Sequence, residues 1–200
     1  MKRSGKAGLE PNHRNTDYLS LDTQVFFSKS PPPPIIHYNK DMSSKSNSST
    51  QRVKDALEKL GIPVTVQELP DSTRTAKEAA DAARCKVGQI VKSLVFQTVT
   101  NRKPILILTS GANQVNEKIV RAQLGEEIQF ASPDFVREET GFAIGGVSPY
   151  GLIKEIPIYM DRDLLEHSII WAAAGSHHAV FSIQPQTLIS TTGAKVISVH

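Results

Sequence analysis

Apolar residues recur at helical spacing in Val53, Ala56, Leu57 and Leu60, and Gly61 follows them. That pattern predicts an amphipathic helix opening near Thr50 as N-cap and ending at the glycine. The period then shortens to two across residues 62–66, which predicts a strand. Thr75-Ala76-Lys77-Glu78 has the spacing of a capping box and opens an alanine-rich helix reaching about Cys85. Two β-branched-rich apolar runs, residues 90–100 and 104–109, flank Asn101-Arg102-Lys103 and predict a hairpin. Further helices are expected over 116–124, closed by Gly125, and from Ser132-Pro133 to Gly141. Short strands are expected near 156–160, 169–173 and 179–183, then a helix from Pro185 to Gly193 and a closing strand over 194–199. Strands outnumber helices and the two kinds alternate, so the fold class is α/β (α+β), a mixed sheet rather than a doubly wound one.

Residues 1–50 do not fit this patterning. Pro31 to Pro34 form a polyproline run, and residues 43–50 are nearly all Ser, Asn and Lys. Such segments bury too little apolar surface to offset the entropy of ordering, so 1–50 is expected to be a disordered tail and 51–200 one domain. Met42 stands where an alternative start would remove most of the tail. The tail carries seven Lys/Arg against four Asp/Glu, whereas residues 51–200 hold sixteen of each. The net charge of +3 therefore lies wholly in the tail, and the domain is not a bulk polyanion binder. No apolar run approaches eighteen residues, so no membrane span is expected. The single cysteine, Cys85, has no partner for an internal disulfide, and a reducing cytoplasm is the expected location.

Gly145-Gly146-Val147-Ser148-Pro149-Tyr150-Gly151 carries three glycines and a proline in seven residues, a loop able to present bare backbone groups to a ligand. A second glycine-led turn, Gly175-Ser176-His177-His178, follows. The first loop also has a purely connective reading, and the bland reading of the histidines is one at the surface and one half-buried and satisfied. Lys92 lies among apolar neighbours and on a strand shares a face with Leu94 and Phe96, so its ammonium must reach a partner, a ligand or solvent. His177 and His178 point to opposite faces of a strand, so at most one faces a pocket. Adjacent histidines do not share a metal easily and no third ligand stands at familiar spacing, so neither metal nor cofactor is expected. Ser148 and Ser176 are candidate nucleophiles with Asp161 or Asp163 behind them, but Tyr150 replaces the last glycine of a nucleophile elbow. Asp161-Arg162-Asp163 reads as the cap of the following turn, and Cys85 as a small packing residue.

In this order, the helix at Val53–Leu60, the Ser72–Ala80 segment, Ile90-Val91-Lys92-Ser93-Leu94-Val95-Phe96, the Gly145–Gly151 loop and the Gly175–His178 turn resemble the YbaK family. These are aminoacyl-tRNA editing domains, also called prolyl-tRNA synthetase-associated domains. The resemblance covers residues 51–199. It implies a mixed, barrel-like β-sheet flanked by helices, and hydrolysis of the ester joining a wrong, small amino acid such as alanine or cysteine to tRNA-Pro or a similar tRNA. The family's lysine maps onto Lys92 and its Gly-x-x-x-Pro loop onto Gly145, Gly146, Val147, Ser148 and Pro149. A histidine of alanine-editing members maps near His177 or His178, beside Gly175, and Ser93 stands where those members carry Asn. The implied partners are the acceptor end of mischarged tRNA and, transiently, a synthetase. The alternative function is a tRNA or aminoacyl-ligand binding module without catalysis, for which Ser93 is the sequence support; a serine esterase would need Ser148 or Ser176. Limited proteolysis is expected to remove residues 1–41 first with activity retained; protection of that stretch would contradict the tail reading.

Overall fold

The computed structural model describes residues 48–70 and 74–200. The tail through residue 47, with Met42, and Ser72 and Thr73 of the resembling segment lie outside the described residues. Helix α1 spans Ser49–Lys59. Its N-cap is Ser48, whose hydroxyl accepts from the Gln51 N–H, two residues before the expected Thr50. Strand β1 is only Val66–Glu68, because residues 62–65 take no regular structure before it. Helix α2, Ala76–Ala83, opens with the full capping box: Thr75 Oγ1 accepts from the Glu78 N–H, and the Glu78 carboxylate accepts from the Thr75 and Arg74 N–H groups. Those bonds hold the Glu78 carboxyl below its ordinary pKa.

The expected hairpin is β2, Val91–Thr98, paired antiparallel with β3, Pro104–Ser110. Helix α3, Glu117–Leu124, is capped by Asn116 and closed by Gly125. Helix α4, Pro133–Thr140, is capped by Ser132 and closed by Gly141. Between them lies β4, Ile128–Phe130, a three-residue strand too short to show a period and absent from the sequence reading. Strands β5 (Ile158–Asp161), β6 (Ile170–Ser176) and β7 (Ala179–Ile183) follow, then helix α5 (Pro185–Thr192) and strand β8 (Lys195–Ile197). A 3-10 turn over Arg162–Glu166 is capped by Asp161, as expected.

The strands form a three-stranded antiparallel sheet ordered β1-β7-β6 and a five-stranded mixed sheet ordered β4-β2-β3-β5-β8, whose β3–β5 and β5–β8 pairs are parallel. The mixed sheet flanked by helices is therefore present, but it does not close as a barrel: among the described residues a single bridge, Ile90 to Trp171, links the two sheets. None of the helices among the described residues is long and apolar enough to cross a membrane.

Strands β2 and β3 are covered on both faces. Val91, Val95, Leu106 and Leu108 enter one core with Val53 and Leu57 of α1, Ile170 and Ala172 of β6, and Phe181 of β7. Phe96, Ile105 and Ile107 enter a second core under α3 with Val120, Ile128 and Val199. Coverage on both sides explains why Ile105 to Leu108 is an unbroken apolar run rather than an alternating one.

Helix α1 sits against the start of the Gly175 turn. Gly175 has φ +90°, and a Cβ there would stand 2.5 Å from the Ser49 carbonyl carbon and oxygen. Gly125 has φ +74° with nothing within 4 Å of a Cβ. Gly175→Ala is therefore expected to lower stability by about 2 kcal/mol or more, combining backbone strain with overpacking, and Gly125→Ala by only about 1–2 kcal/mol. Chemical denaturation of the two variants measures the difference; equal losses would contradict the close approach of α1.

Candidate functional site

Strand β2 begins where the two sheets meet, and a cavity of about 300 Å³ opens there. Lys92, Ser93 and Leu94 form one wall. Trp171 and Ala173 of β6 form another; they alternate with Ile170, Ala172 and Ala174, which are fully buried in the core. Ile144, Gly145 and Val147 close the cavity from the glycine loop, Ser176 and His177 from the Gly175 turn. Arg74, Thr75 and Ala76, at the start of α2, complete the rim.

Lys92 is half-buried, and its side chain shares the face of Leu94 and Phe96, as the alternation requires. Its Nζ donates to the backbone carbonyl of Asn113, just beyond β3. Burial pushes the ammonium pKa below the ordinary 10.5, and the Asp161 carboxylate acts in the opposite sense. An ammonium has three N–H groups, so one carbonyl leaves two for the cavity. Ser93 Oγ is buried and has no hydrogen-bond partner among the described residues. Alternation along β2 turns this hydroxyl to the face opposite Lys92, and Ser93 borders the cavity without exposing its Oγ there.

The two histidines sit in the turn after β6 rather than on a strand. His177 lines the cavity; His178 lies on the other side of the turn, in a groove with Ser48, Gln51 and Lys54 of the α1 end. Their rings nevertheless remain 3.7 Å apart between centroids. The glycine loop divides in the same way. Gly145 and Val147 reach the cavity, whereas Gly146, Ser148, Pro149 and Gly175 do not line it.

Packing accounts for Gly146 and Ser148, as it does for Gly175 against α1. A Cβ on Gly146 would stand 2.8 Å from the Ser176 Cα and 2.9 Å from the Gly175 carbonyl oxygen, so this glycine lets the two loops touch. Ser148 is fully buried and its Oγ accepts from the Tyr150 N–H. Pro149 lines a separate groove with Leu60 and Tyr150. Ser176 reaches the cavity, but its Oγ accepts from the His178 N–H. Neither candidate serine is thus set up as a nucleophile. Cys85 lies on α2's exit, and burial raises its thiol pKa, which disfavours the thiolate.

Sequence reasoning missed Arg74, Trp171 and Asn113. Arg74 adjoins a capping box and was legible only as part of the helix start. Trp171 is the chain's one tryptophan, and two-residue alternation along β6 would have placed it opposite the core. Asn113 carries no local signal, since its contact to Lys92 depends on the β2–β3 register.

The family model of the aminoacyl-tRNA editing domain matches residues 70–191. YwhH of Bacillus subtilis, a protein named as uncharacterized, is 31% identical over 131 residues, which is 66% of this chain and 83% of that protein. EbsC of Enterococcus faecalis, named as a candidate Cys-tRNA(Pro)/Cys-tRNA(Cys) deacylase, is 25% identical over 123 residues, 60% of this chain and 74% of that protein. A proline–tRNA ligase of Bacillus licheniformis is 30% identical over 152 residues, 74% of this chain but 26% of the ligase. Among solved structures, a candidate trans-editing enzyme for prolyl-tRNA synthetase superposes with a TM-score of 0.72 at 46% identity, covering 76% of this chain and 96% of that one. The matched span holds α2, the Lys92 strand, the glycine loop and the His177 turn, which are the pieces that build the cavity. The chain belongs to the aminoacyl-tRNA editing domain family.

Proposed function

We propose that this chain is a trans-editing deacylase that hydrolyses the ester between a small, non-cognate amino acid and tRNA, releasing the free amino acid and the tRNA 3′-terminal hydroxyl. The observation that carries the reading is the Lys92 ammonium on the wall of a largely apolar cavity of about 300 Å³. The names of EbsC and of the trans-editing structure support the same reaction.

In this reading the acceptor end of the tRNA enters past Arg74 and Ile144, and the aminoacyl group lies between Lys92 and Gly145. Lys92 places two free N–H donors where negative charge grows as water attacks the ester carbonyl. Such donors act strongly in a site sheltered from water. His177 offers a polar contact to the substrate from the Gly175 turn, and Ser93 borders the substrate through its place on the wall beside Lys92. No protein nucleophile is needed: the incoming water supplies the oxygen of the new carboxylate, and the leaving ribose oxygen takes a proton. The cavity selects by exclusion of larger side chains, because a single methylene distinguishes substrates by only about 1–3 kcal/mol when it must be recognised by attraction. Alanine and cysteine, on tRNA-Pro or a similar tRNA, are the proposed substrates, and a synthetase is the proposed transient partner. The proposed compartment is the cytoplasm.

Lys92→Ala is expected to slow deacylation about 100-fold or more, the usual effect of losing a transition-state donor, with the fold retained by circular dichroism. Wild-type turnover by folded Lys92→Ala would remove Lys92 from the mechanism. A panel that varies amino acid and tRNA separately is expected to show turnover of small aminoacyl esters only; equal rates for bulky ones would refute selection by cavity size. The charged form of Lys92 is the active one. The rate, corrected for spontaneous hydrolysis, should therefore be full at neutral pH and fall as pH rises through the Lys92 pKa, below 10.5. An enzymatic rate that held constant to pH 11 would contradict this.

A further inference from the structure

The Lys92 ammonium does not meet the acidic groups near it directly; it meets a peptide carbonyl, that of Asn113. Asn113 is held by its own side chain. Its Nδ2 donates to Asp161 Oδ2 and to Asp163 Oδ2, both at 2.8 Å. Asp161 is fully buried and accepts twice more, from the Ser110 N–H at 3.1 Å and the Asp163 N–H at 3.2 Å. Asp163 accepts in addition from His200 Nε2 at 2.9 Å. The loop between Ser110 and Asn113 is also tied to the segment preceding Lys92: the Gly111 N–H donates to the Ile90 carbonyl at 2.7 Å, and Ser110 Oγ donates to the Gly88 carbonyl at 2.9 Å. The segment leading into Lys92 and the loop that carries Asn113 are thus fastened to each other, and that loop to the end of β5.

We propose that Asn113 is a positioning residue for Lys92: its amide, forked across Asp161 and Asp163, fixes the carbonyl that aims the ammonium at the cavity. The physical reason is the freedom of a lysine side chain. Four methylenes carry a strongly hydrated charge, and a lysine that is not held samples many rotamers at a cost of about 2 kcal/mol to order. A single carbonyl acceptor defines the direction of the head group only if the carbonyl itself cannot move. Asn113 supplies that constraint because one planar amide offers two N–H groups at a fixed angle, and each has a carboxylate acceptor. The Asp161 carboxylate is in turn fixed by backbone donors at the end of β3 and the start of the 3-10 turn, and the Asp163 carboxylate accepts from His200. Asp161 serves both parts, since its buried negative charge also favours the charged state of Lys92.

The idea rests on the editing reading, so its test has one arm in activity and one outside it. Asn113→Ala keeps the backbone carbonyl and removes the fork. Single-turnover deacylation by Asn113→Ala is expected to slow about 10-fold, within the loss that a misplaced catalytic group produces. The double variant Lys92→Ala/Asn113→Ala should be no slower than Lys92→Ala alone, because Asn113 acts through Lys92. Separately, labelling by an amine-reactive acetylating reagent, mapped by peptide mass spectrometry, should rise several-fold at Lys92 in Asn113→Ala and stay constant at Lys154. Asp163→Ala, which removes one of the two acceptors at a half-exposed position, should give the same changes in smaller size, and serves if Asn113→Ala does not fold. Raised labelling of Lys92 with no deacylation by wild-type protein would leave the positioning role standing and remove the editing reading. Wild-type deacylation with unchanged rate and unchanged labelling in a folded Asn113→Ala, or losses that multiply in the double variant, would overturn the positioning role.

Discussion

A charge placed in a strand that is covered on both faces must leave the core at the strand's end, and this constraint organises the site. Strand β2 contributes Val91 and Val95 to one core and Phe96 to the other, so an ammonium in its middle would have no polar partner. Lys92 is the second residue of the strand, just past the Ile90–Trp171 bridge that links the two sheets. The cavity opens at that junction, and the carbonyl of Asn113 in the loop after β3 satisfies the ammonium. Shelter, charge and opening thus have one origin in the packing of β2.

The glycine-rich loop has a different role from the one its composition suggests. Seven residues with three glycines read as a backbone surface for a ligand, yet only Gly145 and Val147 of that loop reach the cavity. Gly146 instead permits contact between two loops, and Gly175 permits contact with the first turn of α1. Helix α1 and the two loops are therefore packed backbone against backbone, with no side chain between them to flex. The position of the cavity wall is set by atoms that have few alternatives, and this rigidity is what a pocket needs to exclude larger side chains.

Much of this was legible in the chain. Helix ends were marked by Thr75, Asn116, Ser132 and by Gly125, Gly141 and Gly193, whose chemistry is local and acts without knowledge of the fold. The hairpin followed from two β-branched runs and a polar turn. What failed depended on distant partners. Strand β4 has three residues and exists because β2 offers an edge to Phe130, Gln129 and Ile128. The expected curling of the sheet into a barrel fails because the strand order keeps two sheets instead. Choosing His177 over His178 required the turn after β6, where both residues have left the strand and its alternation no longer applies. Asn113 could not be assigned at all, because an asparagine in a loop has dozens of local roles and only the register of β3 against β2 brings it to Lys92.

The central claim is that the cavity beside Lys92 receives the aminoacyl end of tRNA. Trp171 is the single tryptophan and lies on the cavity wall, so it reports occupancy without any label. The most direct measurement is Trp171 fluorescence during titration with a non-hydrolysable 3′-amide analogue of alanyl-adenosine, in wild-type protein and in Lys92→Ala. A saturable change in wild type, weakened at least several-fold in Lys92→Ala, is the predicted result. A wild-type protein that deacylates mischarged tRNA while the saturating analogue leaves Trp171 unperturbed would place the reaction elsewhere and contradict the account.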